Sequence, residues 1–342
     1  MEIPAIDQQT WEAARAHQAQ LTKPTGALGR LEELACWFAA RQGKAVPDLL
    51  RPAIVVFAAD HGVAREGVSA YPREVTAQMV RNFAAGGAAI NVLARRCDAK
   101  LSIVDVGVDA DLSDVDMLEH AKVRAHGSGN IAREPAMNDA QYWEAVGIGE
   151  EMAARAIAAG ANLLIAGDMG IGNTTPSAAV ICALTGAAPE QVVGRGTGVD
   201  DATYGRKLAV VEQALARADG TLSRDVLREL GGLEIAAMAG FYRAAARHGV
   251  PVLLDGFISA AAALAALAWD VRVSGWMLAS HVSAEAGHRL ALRELGLAPL
   301  LDFGMRLGEG TGAALAVPLL NAALALHREM ATFASAGVSD RA

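Results

Sequence analysis

The stretch LLIAGDMGIGNTTPSAAVICAL, residues 163–184, passes from an apolar run through a glycine-rich turn into a segment of small residues. This order predicts a buried strand, a tight turn and then a helix. Similar apolar runs, most of them ending in acidic or glycine-rich turns, occur at residues 53–63, 101–109, 250–259, 276–287 and 299–310. Nearly continuous apolar strands separated by helices predict an α/β fold, in which a parallel sheet is covered by helices on both faces.

The ends of these runs carry most of the residues that could do chemistry. In open parallel sheets, ligands bind beyond the carboxyl ends of the strands. The polar and charged residues expected at that edge are Asp60, His61, Asp105, Asp168, Asp255, His281 and Glu309. We therefore expect the functional site among them.

Composition limits the function classes. The chain has 342 residues and a net charge of −8, and 53% of its residues are apolar. Without a basic stripe, nucleic-acid binding has little electrostatic support, and an anionic ligand would need a local cationic pocket. The three cysteines are far apart and predict buried thiols instead of disulfides or a metal site. No apolar signal region or membrane span is evident, so we expect a cytoplasmic protein that does not contact a membrane.

Two parts of the chain lie outside the strand-and-helix pattern. The sequence predicts a large α/β nucleotide-binding domain over residues 49–312 and a small helical lobe formed by residues 1–48 and 313–342. Residues 109–139 are polar and irregular, which indicates a long connection.

The glycine-rich turn looks like a phosphate loop without its lysine. Gly167 and Gly172 have the spacing of a Walker loop, but Asn173 stands at the lysine position, which disfavours ATP or GTP hydrolysis. Gly170 and Gly172 would let backbone N–H groups point inward, and the side chains of residues 173–175 could cap the next helix. The result would be a site for one phosphate at a helix N-terminus. A tight turn without a ligand remains the alternative.

Two further glycine-rich segments carry candidate residues. VGRGTGVDD, residues 193–201, is a weak dinucleotide signal, and Lys207 after it could supply positive charge to a phosphate. In RLGEGTGAAL, residues 306–315, Glu309 stands directly before a helix. Its carboxylate could cap that helix or act as a general base, and the sequence supports both interpretations equally.

A third candidate region follows the first strand. Apolar and polar residues share one side of the segment after Pro72, namely Tyr71, Val75, Gln78, Met79 and Phe83. This pattern is typical of a core face, and the alternative is a slot for a flat aromatic ligand. Asp60, His61 and His281 could suggest a metal, but their spacing matches no metal-binding motif.

Several stretches together resemble one family. KPTGALGRLE, AADHGVAREGVSAYPREVTAQMV, GGAAINVLAR, GDMGIGNTT, GRGTG, LLDGFI, SHVSAEAGH and LDFGMRLGEGTGAALA resemble the nicotinate-nucleotide:dimethylbenzimidazole phosphoribosyltransferases, in register from about residue 21 to residue 320. The resemblance implies a Rossmann-like parallel sheet, a small lobe built from both chain ends, and a homodimer. It also implies transfer of the phosphoribosyl group of nicotinate mononucleotide to a benzimidazole base, without a metal or cofactor, in assembly of the cobalamin nucleotide loop.

The resemblance also implies roles for individual residues. Glu309 matches the family's general base, and Asp168 is a catalytic carboxylate at a position where many relatives carry glutamate. The residues that match the phosphate and ribose site are Gly170, Gly172, Asn173, Thr174 and Lys207. The benzimidazole slot would lie around Ser69, Tyr71, Gln78 and Met79.

Two other functions compete with this one. A nicotinamide-dependent oxidoreductase would need a complete dinucleotide fingerprint after the first strand, and ADHGVAREG does not provide it. A non-catalytic nucleotide sensor could use the same pockets but would have no need of Glu309. The fold alone does not distinguish these functions from one another.

Overall fold

Six parallel strands form one sheet in the order β3-β2-β1-β4-β5-β6. The structure, a computed structural model, describes residues 2–124, 126–196 and 198–339. Within them the strands are β1 (Pro52–Ala59), β2 (Lys100–Gly107), β3 (Leu118–His120), β4 (Leu163–Met169), β5 (Val252–Leu254) and β6 (Met277–Ala279). The predicted α/β fold with a Rossmann-like sheet is confirmed, because this order is that of the dinucleotide-binding folds.

Helices cover both faces of the sheet. They are α1 (Gln8–Gln20), α2 (Arg30–Gln42), α3 (Val75–Ala84), α4 (Ala89–Arg96), α5 (Asp139–Ala158), α6 (Thr174–Thr185), α7 (Pro189–Val192), α8 (Asp201–Arg217), α9 (Val226–Leu230), α10 (Leu233–Arg247), α11 (Phe257–Trp269), α12 (His288–Glu294), α13 (Thr311–Glu329) and α14 (Phe333–Ala336). Short 3₁₀ helices occur at Gly62–Glu66, Ser223–Asp225 and Val271–Trp276.

Alternate side chains of β1 point to opposite faces of the sheet and contact two separate clusters of the hydrophobic core. Val55 and Phe57 face one cluster, which α5, α6, α10 and α11 complete, whereas Ile54 and Val56 face a second cluster built with α2, α4 and α13. All eight residues of β1 are buried, as expected for a central strand covered on both faces. The sheet is therefore a rigid platform for the loops at its carboxyl edge.

Two sequence predictions about strands are wrong. Residues 118–120 form the edge strand β3 inside the stretch predicted to be an irregular connection. Residues 299–310, predicted to form a strand, make only an isolated bridge between Leu301 and His281. Asp302, Phe303 and the following glycine are exposed, so this segment cannot be a buried strand and instead forms a loop at the sheet edge.

Helices from both chain ends lie together. α1 packs on α2, and α2 packs on α13. Leu34 and Phe38 of α2 share a core cluster with Val317 and Leu320 of α13 and with β1. The domain bounds of 49–312 and of 1–48 with 313–342 stay a prediction. Of the helices in the described residues, none is both long enough and apolar enough to span a membrane.

The cysteines carry no disulfide. All three are free thiols; Cys36 and Cys182 are buried, as predicted, while Cys97 is half-buried. Burial raises the pKa of the Cys36 thiol to about 11 and that of the Cys182 thiol to about 12. These thiols are therefore protonated and act as small apolar side chains.

Candidate active site

The chain reverses direction along the sheet between β1 and β4, which are neighbours. β1 continues to β2 on one side, and β4 continues to β5 on the other. A crevice opens at such a switch point beyond the carboxyl ends of the two strands. The buried residues that follow the strands include Asp60, His61, Asp168, Asp255 and His281, as predicted.

The glycine-rich turn after β4 makes a compact loop against α3. The backbone N–H of Ile171 donates to the hydroxyl of Thr76 at 3.1 Å. Gly172 has a φ of +91°, which favours glycine, and it turns the chain into α6. The amide of Asn173 donates to Asp168 Oδ1 at 2.9 Å. The loop geometry is thus held by two contacts that a bare turn would not need.

The expected capping of α6 by its first polar side chains is wrong. Asn173 occupies the N-cap position but makes no side-chain cap hydrogen bond, since its amide bonds to Asp168. The buried hydroxyl of Thr175 has no hydrogen-bond partner among the described residues. The backbone N–H groups of Asn173 and Thr175 donate to the carbonyls of Gly170 and Gly172, so at the start of α6 the N–H of Thr174 is the one left for an anion in the described chain.

The sequence predicts that Lys207 supplies the positive charge that the glycine loop, without a lysine of its own, lacks. Its ammonium donates to the Thr174 hydroxyl at 2.8 Å and to the carbonyl of Gly194 at 3.0 Å. Only 1% of the residue is exposed, and burial lowers its pKa to about 8, against an opposing effect of Glu285. A cation is thus held beside the first turn of α6, from a position 33 residues away in sequence.

Glu309 lies in a tight loop against β4. Its φ is +64°, one of two positive values at residues other than glycine in the described chain. A Cβ on Gly167 would come within 2.3 Å of the Glu309 carbonyl, so only glycine permits this approach. The Glu309 side chain is 5% exposed, and its Oε2 has no hydrogen-bond partner among the described residues.

Burial raises the pKa of the Glu309 carboxyl, and the backbone N–H of Ile90 at the start of α4 opposes that rise. The Glu309 carboxylate does not cap α13. Gly310 occupies the N-cap position of that helix and makes no side-chain cap hydrogen bond. Of the two interpretations from the sequence, capping is therefore wrong for Glu309. A buried carboxyl with a free oxygen and a raised pKa is suited to accept a proton.

Asp255, after β5, caps α13 instead. Its two carboxylate oxygens accept the backbone N–H groups of Gly310 at 3.1 Å and Ala313 at 3.0 Å. Burial nevertheless raises the pKa of Asp255 to about 7. This tertiary cap fixes the loop that carries Glu309 to the end of β5, the strand between β4 and the edge strand β6.

Asp168 completes a group of buried carboxyls. Burial and then the charge of Asp255 raise its pKa well above the usual value, while the bond from Asn173 opposes the shift. A Cβ on Gly308 would lie 3.2 Å from both Asp168 oxygens, so the carboxyl touches the loop before Glu309. The strand ends therefore gather carboxyl groups whose neutral forms are favoured by burial, and a nearby cationic reaction centre would favour their ionised forms.

The residues predicted for an aromatic slot lie in three different environments. Ser69 lies in a small cavity with the glycine loop, and its hydroxyl accepts the backbone N–H of Tyr71 at 3.2 Å. Tyr71 and Gln78 are exposed, whereas Met79 packs against a core cluster. The core interpretation is therefore confirmed for the buried Phe83 of the same helix, while the slot stays a prediction.

Asp60, His61 and His281, weighed as metal ligands, serve as hydrogen-bond partners in the structure. Asp60 accepts a backbone N–H of the loop after β2 at 2.8 Å. His61 Nε2 lies 2.7 Å from Glu234 Oε1, and His281 Nδ1 lies 3.1 Å from the Ser280 hydroxyl. In the described ranges, no group of three histidine, cysteine or acidic side chains could hold a metal ion.

The sequence patterns do not indicate three polar residues near this edge, of which two are buried and one, Arg306, is exposed. Glu234 begins α10 and is fully buried against His61, and Glu285 has an unpartnered oxygen within the described chain. Arg306 donates from Nε to the Gly196 carbonyl at 3.1 Å. No motif marks these residues, because the contacts that position Glu234 and Arg306 join distant parts of the chain. His61 and Glu234 lie 173 residues apart, and Gly196 and Arg306 lie 110 residues apart.

A larger groove, of about 760 Å³, lies between α1 and α2, far along the chain from these residues. Its walls include Trp11, Arg15, Glu32 and Cys36. It contains none of the residues at the strand ends, so size alone is a poor guide to the reactive site here.

Comparisons with known proteins find relatives over nearly the whole chain. A phosphoribosyltransferase family model (DBI_PRT) matches residues 3–338. The nicotinate-nucleotide–dimethylbenzimidazole phosphoribosyltransferase of Chromobacterium violaceum is 62% identical over 98% of both chains, and that of Mycobacterium marinum is 53% identical over 98% of this chain and 94% of its own. The crystal structure of CobT from Thermus thermophilus superposes with a TM-score of 0.94 at 50% identity, covering 97% of this chain and 100% of that chain.

Proposed function

Because this chain belongs to the nicotinate-nucleotide–dimethylbenzimidazole phosphoribosyltransferase family, we propose that it makes α-ribazole 5′-phosphate with Glu309 as general base. The enzyme is a pentosyltransferase. Nicotinate mononucleotide gives its phosphoribosyl group to 5,6-dimethylbenzimidazole, and nicotinate is released. The product serves assembly of the cobalamin nucleotide loop. The observation that carries the role of Glu309 is its buried carboxyl, which has a free Oε2 beside an anion loop.

The 5′-phosphate binds at the glycine loop. Gly170, Gly172, Asn173 and Thr174 line a small cavity at the start of α6, and the Lys207 ammonium lies 2.8 Å from the Thr174 hydroxyl. A helix N-terminus and a buried cation favour a dianion together. This places the ribose over Asp168 and Asn173.

The buried carboxyls stabilise the ribose in the transition state. As the bond from C1′ to the pyridinium nitrogen breaks, positive charge develops on the ribose, and both bonding electrons leave with the nicotinate ring. Asp168 lies at the end of β4, where its ionised carboxylate stabilises that developing cation; the cation in turn favours ionisation of this carboxyl, whose pKa is raised by burial. A fixed carboxylate in a water-poor site acts more strongly than it would in bulk water.

Glu309 receives the proton of the incoming base. One benzimidazole nitrogen forms the new bond to C1′ from the face opposite the departing nicotinate, which inverts the β-linkage to an α-linkage. The other nitrogen gives its proton to the Glu309 carboxylate. Burial raises the pKa of that carboxyl, which brings its basicity closer to that needed for the transfer.

The remaining parts of the proposal rest on the family resemblance. The benzimidazole ring would lie near Ser69, Tyr71, Gln78 and Met79, of which Ser69 borders the glycine loop. The protein would be a cytoplasmic homodimer that needs no cofactor. Each protomer would have the large domain of residues 49–312 and the helical lobe of residues 1–48 with 313–342.

Product analysis tests the reaction directly. The protein is mixed with nicotinate mononucleotide and dimethylbenzimidazole, and the nucleotide formed is examined by NMR at its anomeric proton. We expect one nicotinate released for each α-linked ribazole phosphate. Omission of benzimidazole is the control. Nucleotide binding without any product would favour the sensor function and would contradict the proposal.

A further inference from the structure

His61 and Glu234 form a fully buried pair behind the glycine loop. His61 Nε2 lies 2.7 Å from Glu234 Oε1, and neither side chain is exposed to solvent. His61 follows β1 and Glu234 lies in the first turn of α10, so the pair joins the central strand to a helix. Neither residue lines either of the small cavities beside the glycine loop. The pair is therefore close to the proposed phosphate site without being part of it.

The glycine loop packs directly on the imidazole ring of His61. A Cβ added to Gly170 would lie 3.0 Å from His61 Nε2 and 3.2 Å from His61 Cδ2. A Cβ on Gly232, which precedes α10, would come within 2.3 Å of His61 Cε1. Glycine at both positions thus lets two backbone segments approach the ring closely. Because the contact with Gly170 is this close, a rotation of the ring would displace the loop.

The surroundings of the pair favour the charged form of both side chains. Among the described residues, His61 is the one cationic side chain within ion-pair distance of Glu234. A fully buried carboxylate without a cation would be strongly unfavourable. In the first turn of α10, the helix dipole favours a carboxylate over a carboxylic acid. The proton of the pair therefore belongs to the His61 ring, whose Nδ1 lies 3.3 Å from the Ser128 hydroxyl.

The charge of Glu234 also reaches the carboxyls at the strand ends. Burial and then the charges of Asp255 and Glu234 raise the pKa of Asp168. A Glu234 carboxylate without a cation would therefore oppose both an ionised Asp168 and an anion at the glycine loop. A positive charge on the His61 ring compensates that carboxylate at the place where the ring contacts Gly170.

We infer that His61, held as an imidazolium by Glu234, is a positioning residue that fixes the glycine loop in its anion-binding conformation. The inference rests on the proposed function, which puts the 5′-phosphate of nicotinate mononucleotide at this loop. His61 acts through the backbone of Gly170 and does not contact the substrate. Its contribution is therefore to phosphate affinity, and it takes no part in the proton transfer to Glu309.

Calorimetric titration with nicotinate mononucleotide and with nicotinate riboside, which lacks the phosphate, tests the inference without benzimidazole. For Glu234→Ala we expect affinity for the mononucleotide to fall about ten- to a hundredfold, because the ring loses its charged partner and its fixed orientation. Affinity for the riboside should stay within about threefold. Glu234→Gln keeps an acceptor for His61 Nε2 and removes the charge, so its affinity for the mononucleotide should lie between those of the wild type and Glu234→Ala.

The protonation state of His61 is measured on the wild-type protein, so this part of the test does not depend on whether Glu234→Ala folds. We expect ¹⁵N NMR of histidine-labelled protein at pH 7 to show protons on both ring nitrogens of His61. In Glu234→Gln, one of these protons should be lost, and that change assigns the signals. A neutral His61 ring in the wild type, or a spectrum that Glu234→Gln leaves unchanged, would overturn the inference.

Glu229→Gln in α9 is the matched control, because it breaks a partly buried ion pair with Arg217, whose atoms lie 2.8 Å apart, outside the two small cavities. It should lower the free energy of unfolding and leave both affinities unchanged. Equal losses for both ligands in Glu234→Ala would assign the pair to the stability of the fold and contradict a positioning role. A wild type that shows the imidazolium and binds the mononucleotide but makes no product would sink the proposed function while leaving this inference standing.

Discussion

The glycine loop of residues 167–174 and the loop of residues 306–310 lie side by side at the sheet edge but differ in how far their polar groups are satisfied. In the first, Asn173 bonds to Asp168, and Thr174 accepts from Lys207. In the second, Glu309 has a positive φ and a buried oxygen without a partner in the described chain. The polar side chains named in the first loop are paired by hydrogen bonds, whereas one carboxylate oxygen of the second loop is not.

This contrast corresponds to two kinds of chemistry. A phosphate keeps its bonds throughout a phosphoribosyl transfer, so its site can be rigid and fully bonded. A general base must change its protonation state, and a partner for each oxygen would oppose that change. Strain and unmet hydrogen bonds collect where reaction occurs, at a cost that the rest of the fold offsets.

Removing the base should produce the largest effect. In Glu309→Gln we expect kcat to fall by about 10²- to 10⁴-fold, because the amide cannot accept the benzimidazole proton. Affinity for nicotinate mononucleotide should stay within about threefold. Steady-state kinetics with calorimetric titration separates the two quantities. Glu294→Gln, which alters an exposed residue at the end of α12, is the control. Unchanged kcat in Glu309→Gln would remove Glu309 from the reaction.

Pushing the two loops apart should have the second-largest effect on activity. In Gly167→Ala the new Cβ would meet the Glu309 carbonyl at 2.3 Å, so the reactive loop must shift. We expect a loss of about 1–3 kcal/mol in the free energy of unfolding. The misplaced base should lower kcat by about a hundredfold. Denaturant unfolding and kinetics measure these changes.

The matched control for that variant is Gly205→Ala in α8, where a Cβ would have no neighbour within 4 Å. It should be neutral or slightly stabilising, since alanine is the better helix former. If Gly167→Ala behaved like Gly205→Ala, the close approach of the loops would have no role in activity.

Removing the buried cation should affect binding more than chemistry. In Lys207→Met we expect KM for nicotinate mononucleotide to rise about ten- to a hundredfold, with kcat within about threefold, because the phosphate is bound equally before and during transfer. Lys100→Met, at the exposed start of β2, controls for the loss of a lysine. A fall in kcat with constant KM would place Lys207 in the chemical step.

The smallest effect concerns pH. Glu309 must be ionised, and its pKa is raised by burial, so kcat/KM should fall on the acid side at a pH above the usual glutamate range. Lys207 must be protonated, and its pKa is about 8 in the free enzyme, so a second decline should begin near that pH. The loss at pH 8 should be about twofold. A pH series on wild type and Lys207→Met checks this: an alkaline limb that persists in the variant would contradict the assignment.

Much of the fold could be predicted from local patterns. Apolar runs and turns marked β1, β2, β4 and their helices correctly, because a central parallel strand is apolar throughout. Edges were harder. β3 has three residues, one of them exposed, and so lacks an apolar run, whereas residues 299–310 have apolar residues but lie in an exposed loop.

The site was predictable only where its residues share a short segment. The turn from Gly167 to Thr174 is contiguous, and its spacing indicated an anion loop. The cap on α13 comes from Asp255, which lies 58 residues before Ala313. Local spacing suggested Glu309 for that cap, because the sequence does not show that the distant Asp255 carboxylate accepts those N–H groups in the fold.

That tertiary cap also has a consequence for synthesis. A ribosome releases the chain from its N-terminus, so the sheet and the anion loop can form while residues 306–329 are still missing. Asp255 is thus synthesised before the backbone N–H groups of Gly310 and Ala313 that donate to it. A chain cut short before Glu309 would lack both the proposed base and the backbone N–H groups that bind its loop to Asp255. We therefore expect such truncated chains to be inactive.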